Sequence, residues 1–273
     1  MPHTSYVPAI EACSSRRRIF FTQLSFVVLF GLLSPIYYLN RWNFNRRKKA
    51  NPFYVSKIVR LMERYPLLYE AAQVVENFPI HQRIYDVLPV LSGDVLQVGC
   101  GTGLLNKYLR GRTGIRLTNL DPNVHALRMG VRLGRYSDYV VGYIDKRTPL
   151  PDASFDMVVF AQSFHHIRNH KKAFEECARL LRDGGRVVIA DSVVLEENTA
   201  KPTAAGYMAN SSIDGVIWRF TPQALVKHLQ ACLPPTLTTR SVACTRQPHV
   251  TNYNLFVPQS DVVAVLVKQE ALQ

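Results

Sequence analysis

Three closely spaced glycines form the most informative motif of the chain. The loop Gly99-Cys100-Gly101-Thr102-Gly103 follows the apolar run Val95-Leu96-Gln97-Val98 and precedes a predicted helix. Glycines let a backbone approach a ligand closely, and a helix that begins at such a loop turns unpaired N–H groups toward it. A nicotinamide-binding loop would carry glycine or alanine three residues after Gly101, where this chain has Leu104. The spacing therefore disfavours a dinucleotide, and the missing Gly-Lys-Ser/Thr ending disfavours a triphosphate.

A carboxylate follows 20 residues after the central glycine of this loop. Asp121 comes directly after the predicted strand Arg116–Leu120 and precedes Pro122. At the end of a strand beside a glycine loop, a carboxylate can accept hydrogen bonds from both hydroxyls of a ribose. The loop and Asp121 together predict a site for a ligand that carries a ribose.

Two consecutive histidines lie at the end of a later strand. The segment Gln162-Ser163-Phe164-His165-His166 follows the predicted strand Phe155–Phe160. Ligands of open α/β sheets bind at the carboxyl ends of the strands, and imidazole titrates near neutral pH. His165 and His166 are therefore candidate general bases, and the alternative is that they pack or hydrogen-bond beneath the ligand. Without a third ligand, the pair does not indicate a metal site.

Strand-like and helix-like runs alternate along the chain, which is typical of a parallel sheet covered by helices on both faces. The predicted strands are Asp94–Val98, Arg116–Leu120, Tyr139–Tyr143, Phe155–Phe160, Arg186–Asp191, Thr238–Thr245 and Val262–Lys268. Predicted helices begin near Leu104, Val124, His170 and Thr221, and short amphipathic helices precede them between residues 53 and 90. Because no linker interrupts this pattern, residues 51–273 are predicted to form one domain.

With these motifs the chain resembles the class I S-adenosylmethionine-dependent methyltransferases. It is most similar to the small-molecule group that includes the ubiquinone- and menaquinone-biosynthesis methyltransferases. Pro149–Asp156 and Leu181–Ile189 also match stretches that precede strands in this family. The resemblance spans roughly residues 80 to 192. It implies an α/β fold, namely a Rossmann-like, doubly wound, mostly parallel seven-stranded sheet with an antiparallel last strand, and S-adenosylmethionine as cofactor.

The resemblance also assigns a set of cofactor-binding residues, two of which depart from the family pattern. The set is Gln97, Gly99, Cys100, Gly101, Gly103, Asp121, Pro122, Tyr143, Ile144, Asp145 and Gln162. Gln97 stands where the family usually has an acid for the methionine amino group, and a neutral amide forms a weaker bond to an ammonium. Tyr143 stands where the family often has an acid for the adenine amine, with Ile144 offering a backbone N–H and Asp145 one residue beyond. These departures leave a non-catalytic binding or scaffold protein as the alternative.

The reaction that the resemblance implies is O- or C-methylation of an apolar small molecule. Enzymes that methylate nucleobase amines typically carry Asn/Asp-Pro-Pro-Tyr/Phe after this strand, and this chain has Gln162-Ser163-Phe164-His165 instead. No nucleic-acid partner is therefore expected. Substrate recognition is expected from the helices before the glycine loop and from Val193–Phe220, which includes Tyr207, Met208, Trp218 and Phe220.

Residues 1–50 are predicted to form a membrane anchor. Ile19–Leu39 contains no charged residue and would measure about 31 Å as a helix, which matches a bilayer's apolar core. Basic residues flank it, three before and five after, which favours a single-pass protein whose domain faces the cytosol. A cleaved signal peptide, a targeting sequence and a buried helix are the alternatives.

The charge distribution and the cysteine content limit which partners, disulfides and metal sites are expected. The net charge is +13, and residues 1–50 hold eight basic residues against one acid. The concentration of charge beside the apolar run favours an acidic membrane surface over a nucleic acid as its partner. Five cysteines are widely spaced without a C-x-x-C pair, so neither a disulfide framework nor a zinc site is expected.

Overall fold

The strands of the protein form one large sheet and a separate hairpin. The structure, a computed structural model, describes residues 6–8, 35–36, 38–51, 54–72, 84–194, 207–211, 215–244, 249–250 and 258–270. The strands are β1 (Tyr6–Pro8), β2 (Gly93–Val98), β3 (Ile115–Asp121), β4 (Val140–Val141), β5 (Phe155–Ala161), β6 (Leu181–Val194), β7 (Tyr207–Ser211), β8 (Gly215–Arg219), β9 (Leu237–Cys244), β10 (His249–Val250) and β11 (Pro258–Lys268).

Seven strands of the large sheet follow the order β9-β11-β6-β5-β2-β3-β4. Neighbours from β6 to β4 are parallel, whereas β11 is antiparallel to both β6 and β9. The predicted mostly parallel, seven-stranded sheet with an antiparallel last strand is confirmed. The short strands β1 and β10 pair with β9 and β11. Because β2, β3 and β5 are parallel neighbours, their carboxyl ends meet at one edge, which brings the predicted functional residues together.

Helices cover both faces of the sheet, as a doubly wound fold requires. They are α1 (Lys57–Arg64), α2 (Pro66–Ala72), α3 (Leu104–Tyr108), α4 (Val124–Arg132), α5 (His170–Leu180) and α6 (Pro222–Cys232), and a further helix covers residues 38–50. Side chains of a strand alternate between the two faces, so Leu96 packs with Phe174 in one core cluster and Val95 packs with Leu105 in the other.

The helix starts follow the sequence closely. Thr221 accepts a hydrogen bond from the N–H of Ala224, and Pro222 occupies the first helical position of α6. Asn123 and Asn169 cap α4 and α5 in the same way. Such caps satisfy N–H groups that a helix leaves unpaired at its start.

Two regions differ from the sequence predictions. The strand predicted over Tyr139–Tyr143 is reduced to β4, because this strand lies at the edge of the sheet and only Leu120 and Asp121 of β3 pair with it. The antiparallel hairpin of β7 and β8 lies in a segment for which no strand was predicted.

The predicted anchor falls mostly outside the described residues. Within the ranges that the structure describes, no helix has both the length and the apolar character needed to cross a membrane. Residues 19–34 and residue 37 lie outside those ranges.

Candidate active site

Left-handed backbone shapes the glycine loop at the carboxyl end of β2. The φ angle is 53° at Gly101 and 82° at Gly103, values that residues with a side chain rarely adopt. A Cβ at Gly103 would lie 2.6 Å from Cε1 of Tyr136, whereas a Cβ at Gly101 would meet no described atom within 4 Å. The Tyr136 hydroxyl also donates to the carbonyl oxygen of Gly101 at 2.9 Å. Tyr136 therefore closes one side of the loop, and Gly101 presents bare backbone on the open side.

Asp121 connects this loop to the end of β3. Its Oδ2 accepts the N–H of Gly101 at 2.8 Å, and its Oδ1 accepts the N–H of Asn123 at 2.7 Å. Pro122, between them, favours extended backbone at Asp121. Only 8% of Asp121 is exposed; burial raises its pKa, and the two N–H donors act in the opposite direction. The predicted meeting of loop and carboxylate is confirmed, and each oxygen retains a lone pair for a ribose hydroxyl, which stays a prediction.

Gln97 presents an unsatisfied acceptor just before the loop. It is 3% exposed, and its Oε1 has no hydrogen-bond partner in the described part of the chain. Leaving a buried acceptor unpaired costs about 1–3 kcal/mol. A ligand that brings an N–H donor to this point would remove that cost, so the residue fits the amino group of S-adenosylmethionine.

Cys100 contributes backbone to the loop rather than a reactive thiol. Its side chain is buried, and burial strongly raises the pKa of the thiol. Its N–H donates to the carbonyl oxygen of Leu120 at 3.2 Å. The thiol therefore stays protonated near neutral pH and is a poor nucleophile.

The segment after β4 holds the residues predicted to meet an adenine. The Tyr143 ring is 55% exposed, and Lys146 Nζ lies 4.8 Å from its centroid. Ile144 is buried, and Asp145 Oδ2 accepts the N–H of Asn169 at 3.3 Å. Asp145 is thus engaged at the start of α5. The roles of these residues toward a cofactor stay predictions.

His165, which follows β5, forms a dyad with Asp191, which comes directly after the last residue of β6 that pairs with β5. His165 Nδ1 lies 2.8 and 2.9 Å from the two carboxylate oxygens, and the His165 N–H donates to Oδ2 at 3.0 Å. Burial alone would raise the pKa of Asp191, but His165 and the N–H donors outweigh it, and the pKa is lowered. An ionised Asp191 requires the proton on Nδ1, which leaves Nε2 of His165 as a proton acceptor. This is the arrangement of a general base with its orienting carboxylate.

Asp191 is a functional residue that the sequence reasoning missed. It was recognised as the end of a strand but given no role. A signal was available in the sequence. The predicted strand Arg186–Asp191 ends in an acid, just as β3 ends in Asp121. Without knowledge that β5 and β6 are neighbours, the two residues cannot be paired from sequence.

His166 is less suited to act as the base. Its side chain is exposed. The surrounding protein, and then the nearby His165, lower the pKa of His166. Of the two predicted histidines, His165 is the one with an orienting partner.

Gln162 and Ser163 link the two sides of the site. Gln162 has a φ of 59° and donates from Nε2 to Ser192 Oγ at 3.1 Å. Ser163 Oγ donates to the carbonyl oxygen of Val98 at 2.6 Å, and a Cβ at Gly99 would lie only 2.5 Å from Cβ of Ser163. The turn that carries His165 therefore packs directly on the glycine loop.

A buried aromatic cluster supports the His165 turn from below. His170 Nε2 lies 3.1 Å from the carbonyl oxygen of Phe164, and its Nδ1 lies 2.8 Å from His228 Nε2. The rings of Phe164 and His170 are stacked with centroids 4.1 Å apart, and Trp218 and Phe220 complete the cluster. Burial lowers the pKa of His170 to about 4, so this ring is neutral at pH 7.

Helix α2 covers the loop from outside. Thr102 Oγ1 donates to Glu70 Oε2 at 2.5 Å, and Arg135 donates both to Glu70 and to the Thr102 carbonyl oxygen. Burial would raise the pKa of Glu70, but its bonds from Arg135 and Thr102 prevail and lower it. Sequence reasoning assigned this region only to substrate recognition and missed that Glu70 holds the glycine loop.

Among the residues that the structure describes, no group of three or more His, Cys, Asp or Glu side chains is placed to hold a metal ion. The strand order, the glycine loop and the carboxylate after the next strand define a class I S-adenosylmethionine-dependent methyltransferase fold.

Comparisons with known proteins identify the same class. Residues 96–189 match the family model Methyltransf_11, described as a methyltransferase domain. The methyltransferase GfsG of Streptomyces halstedii is 35% identical over 119 residues, 41% of this chain and 43% of that protein. The ubiquinone biosynthesis O-methyltransferase of Idiomarina loihiensis is 27% identical over 168 residues, 60% of this chain and 65% of that protein. Thus the chain spans less than two thirds of the length of these relatives.

A solved structure of an S-adenosylmethionine-dependent methyltransferase from Methanosarcina mazei shares the fold. Its TM-score is 0.51 at 18% sequence identity, and the match covers 72% of this chain and 100% of that one. Residues 96–189 therefore match a methyltransferase domain, and the chain has the fold of S-adenosylmethionine-dependent methyltransferases. The resemblance predicted from the sequence is confirmed.

Proposed function

We propose that the protein transfers the methyl group of S-adenosylmethionine to an oxygen or an activated carbon of an apolar small molecule. The observation that carries this proposal is the His165–Asp191 dyad, which lies beside the loop that would hold the cofactor. The cofactor supplies an electrophilic methyl group on a sulfonium. The tasks left to this chain are to hold it, to orient the acceptor and to take up the acceptor's proton.

Residues of the β2–β3 edge would hold the cofactor. Gly101 offers open backbone, Asp121 offers carboxylate lone pairs, and the buried Gln97 oxygen offers an acceptor that lacks a partner in the described chain. All three belong to one continuous rim, because Asp121 is bonded to Gly101 and Gln97 lies two residues before the loop.

His165 would take the acceptor's proton. As the bond between the acceptor and the methyl carbon formed and the bond from that carbon to the sulfonium sulfur broke, leaving a neutral thioether, the proton of the acceptor hydroxyl, or of an acidified carbon, would pass to Nε2 of His165. Asp191 stabilises the resulting imidazolium through Nδ1, and it lies close enough to do so without rearrangement. The proton then leaves to solvent, which reaches the partly exposed ring.

The class of acceptor is supported by the names of the relatives. They include a demethylmenaquinone methyltransferase, a ubiquinone biosynthesis O-methyltransferase and a 27-O-demethylrifamycin SV methyltransferase. From the likeness to these proteins we propose an apolar small molecule as the acceptor.

We further propose that the protein associates with a membrane and that residues 19–39 contribute to this association. Tyr6–Pro8 pairs with β9, and this pairing restricts how residues 19–39 can attach to a membrane. The single crossing by residues 19–39 that the sequence predicts would place Tyr6–Pro8 on the opposite side of the bilayer from β9, so we propose attachment from one side instead.

The proposed activity is tested by titrating S-adenosylmethionine into the purified full chain and by measuring methyl transfer to a panel of polyprenylated phenols. Binding and turnover, with turnover abolished in His165→Ala, would support the proposal. Binding without turnover on any acceptor would favour the non-catalytic alternative. Failure of a folded chain to bind the cofactor would overturn the proposal.

A further inference from the structure

Eight of the large apolar side chains that the structure leaves exposed lie between residues 36 and 68. Two groups are local in the chain. Leu39 and Trp42 share one face of the helix over residues 38–50 and are 66% and 60% exposed. Leu61, Tyr65, Leu67 and Leu68, at the junction of α1 and α2, are exposed by about half or more. These six residues are named the outer patch.

The two parts of the outer patch are joined through Tyr54. Its ring lies 6.2 Å from that of Phe44, which is buried within the first helix, and it carries Arg47 from that helix and Arg60 from α1 at 5.6 and 5.5 Å. The helices therefore form one body that presents both groups of apolar residues.

This body is strongly basic. Residues 38–51 and 54–68 contain eight Lys and Arg residues and a single acid, Glu63. Two of the cations lie directly on patch aromatics, since Arg46 is 5.1 Å from the Trp42 ring centroid and Arg64 is 5.8 Å from that of Tyr65. Aromatic and aliphatic side chains mixed with cations match the interface of a bilayer with anionic headgroups.

The inner side of the same helices faces the active site. The carbonyl oxygen of Glu63 accepts from Asn123 Nδ2 at 3.1 Å, beside Asp121, and Glu70 holds Thr102 of the glycine loop. Val59 is buried, and a Cβ at Gly215 of β8 would approach it to 3.9 Å. The outer patch is therefore the far side of the cover over the site.

We infer that the outer patch docks on an anionic lipid surface and so holds the cover of the active site against the membrane in which an apolar acceptor dissolves. The benefit to the enzyme rests on the proposed function, whereas the docking itself does not. Charge complementarity favours an anionic lipid surface as the partner, because eight basic residues and a single acid accompany the apolar residues, which are spread over three helices.

The test places the photo-crosslinking residue p-benzoylphenylalanine at Leu68 in the full chain, and at the exposed Gln230 of α6 as a matched control. Each protein is illuminated with vesicles of equal parts phosphatidylglycerol and phosphatidylcholine that contain a tagged phosphatidylglycerol, or with phosphatidylcholine vesicles that contain a tagged phosphatidylcholine. We expect lipid adducts at position 68 but not at 230, and only in anionic vesicles. The pair Lys57→Gln and Arg64→Gln should lower the apparent vesicle affinity read from adduct yield about fivefold per charge, because each basic residue near such a surface contributes about 1 kcal/mol.

The equivalent charge removal on exposed residues of another surface, Lys227→Gln and Arg240→Gln, should leave the adduct yield unchanged. Equal adducts in neutral and anionic vesicles would overturn the electrostatic part of the inference. Vesicle binding without adducts at position 68 would show that residues 19–39 act alone and would overturn it entirely. Methyl transfer in detergent is measured separately, so a failure of the activity is distinguished from a failure of docking.

Discussion

The two sides of the site are built by different means. On the cofactor side, Asp121 is bonded to backbone N–H groups of Gly101 and Asn123, so chain conformation fixes the shape. On the acceptor side, His165 and Asp191 meet through their side chains, across two strands. The shape of the cofactor side therefore depends largely on backbone groups, whereas the acceptor side depends on one hydrogen-bonded pair of side chains. The substitutions below should therefore separate binding from turnover.

The largest effect is expected on the acceptor side. Asp191→Asn removes the charge that stabilises a protonated His165 and allows the wrong tautomer, so kcat should fall about 100- to 10,000-fold. Isothermal titration should show cofactor affinity within about threefold of the parent. Asp183→Asn, an exposed acid of the same strand, serves as the control and should keep full turnover. Loss of cofactor binding in Asp191→Asn would show that the two sides are not separable.

A smaller effect is expected on the cofactor side. Asp121→Ala leaves two buried N–H groups without their acceptor and removes the ribose partner, at about 1–3 kcal/mol. Calorimetry should show cofactor affinity weakened roughly 10- to 100-fold. At saturating cofactor, kcat should remain within a few-fold of the parent. A kcat that falls as far as in Asp191→Asn would contradict the division between the two sides.

Acid should lower the folding stability of the protein through His170, which supports the acceptor side. The folded-state pKa of His170 is lowered by burial to about 4 from 6.5, so the unfolded chain binds more protons between these values. Stability is therefore complete above about pH 6.5 and falls as the pH drops toward 4, by roughly 3 kcal/mol for this residue. Urea unfolding midpoints at pH 7 and pH 5 measure this loss. His170→Gln should flatten the difference, and an unchanged pH dependence in that variant would exclude His170 as its source.

The smallest effect is expected from a substitution that strengthens cofactor binding. Gln97→Glu supplies a charged acceptor in place of the unpaired amide oxygen, and charge-assisted hydrogen bonds are about twice as strong as neutral ones. Cofactor affinity should rise about tenfold while the melting temperature of the cofactor-free protein falls, because the new charge is buried. Gln162→Glu, at a residue bonded to Ser192, offers a contrast in which no such gain is expected. Unchanged affinity in Gln97→Glu would remove Gln97 from the cofactor site.

The sequence predicted features that are local or periodic. The glycine loop and Asp121 follow two apolar runs whose spacing is typical of adjacent parallel strands, and Thr221 with Pro222 marked the start of α6. The mostly parallel seven-stranded sheet with an antiparallel last strand followed from the resemblance to a known fold. These features need little knowledge of long-range packing.

What could not be predicted depends on side chains far apart in the chain. The Asp191 partner of His165 and the Arg135 partner of Glu70 are 26 and 65 residues away, and neither pair has a fixed spacing in sequence. The hairpin of β7 and β8 was missed because its two strands show no clear alternation of apolar and polar residues. The predicted strand continued to Tyr143, whereas β4 ends at Val141. A run of β-branched and aromatic residues does not reveal that its strand lies at the edge of the sheet.

The contact between Ser163 and Gly99 limits how new acceptor specificity can be introduced into this scaffold. A loop exchanged after β5 has to allow the same close approach of its second residue to the glycine loop, since a Cβ at Gly99 would already lie 2.5 Å from that of Ser163. Changes aimed at the acceptor should also spare Phe164, which is buried in the core and whose carbonyl oxygen is bonded to His170.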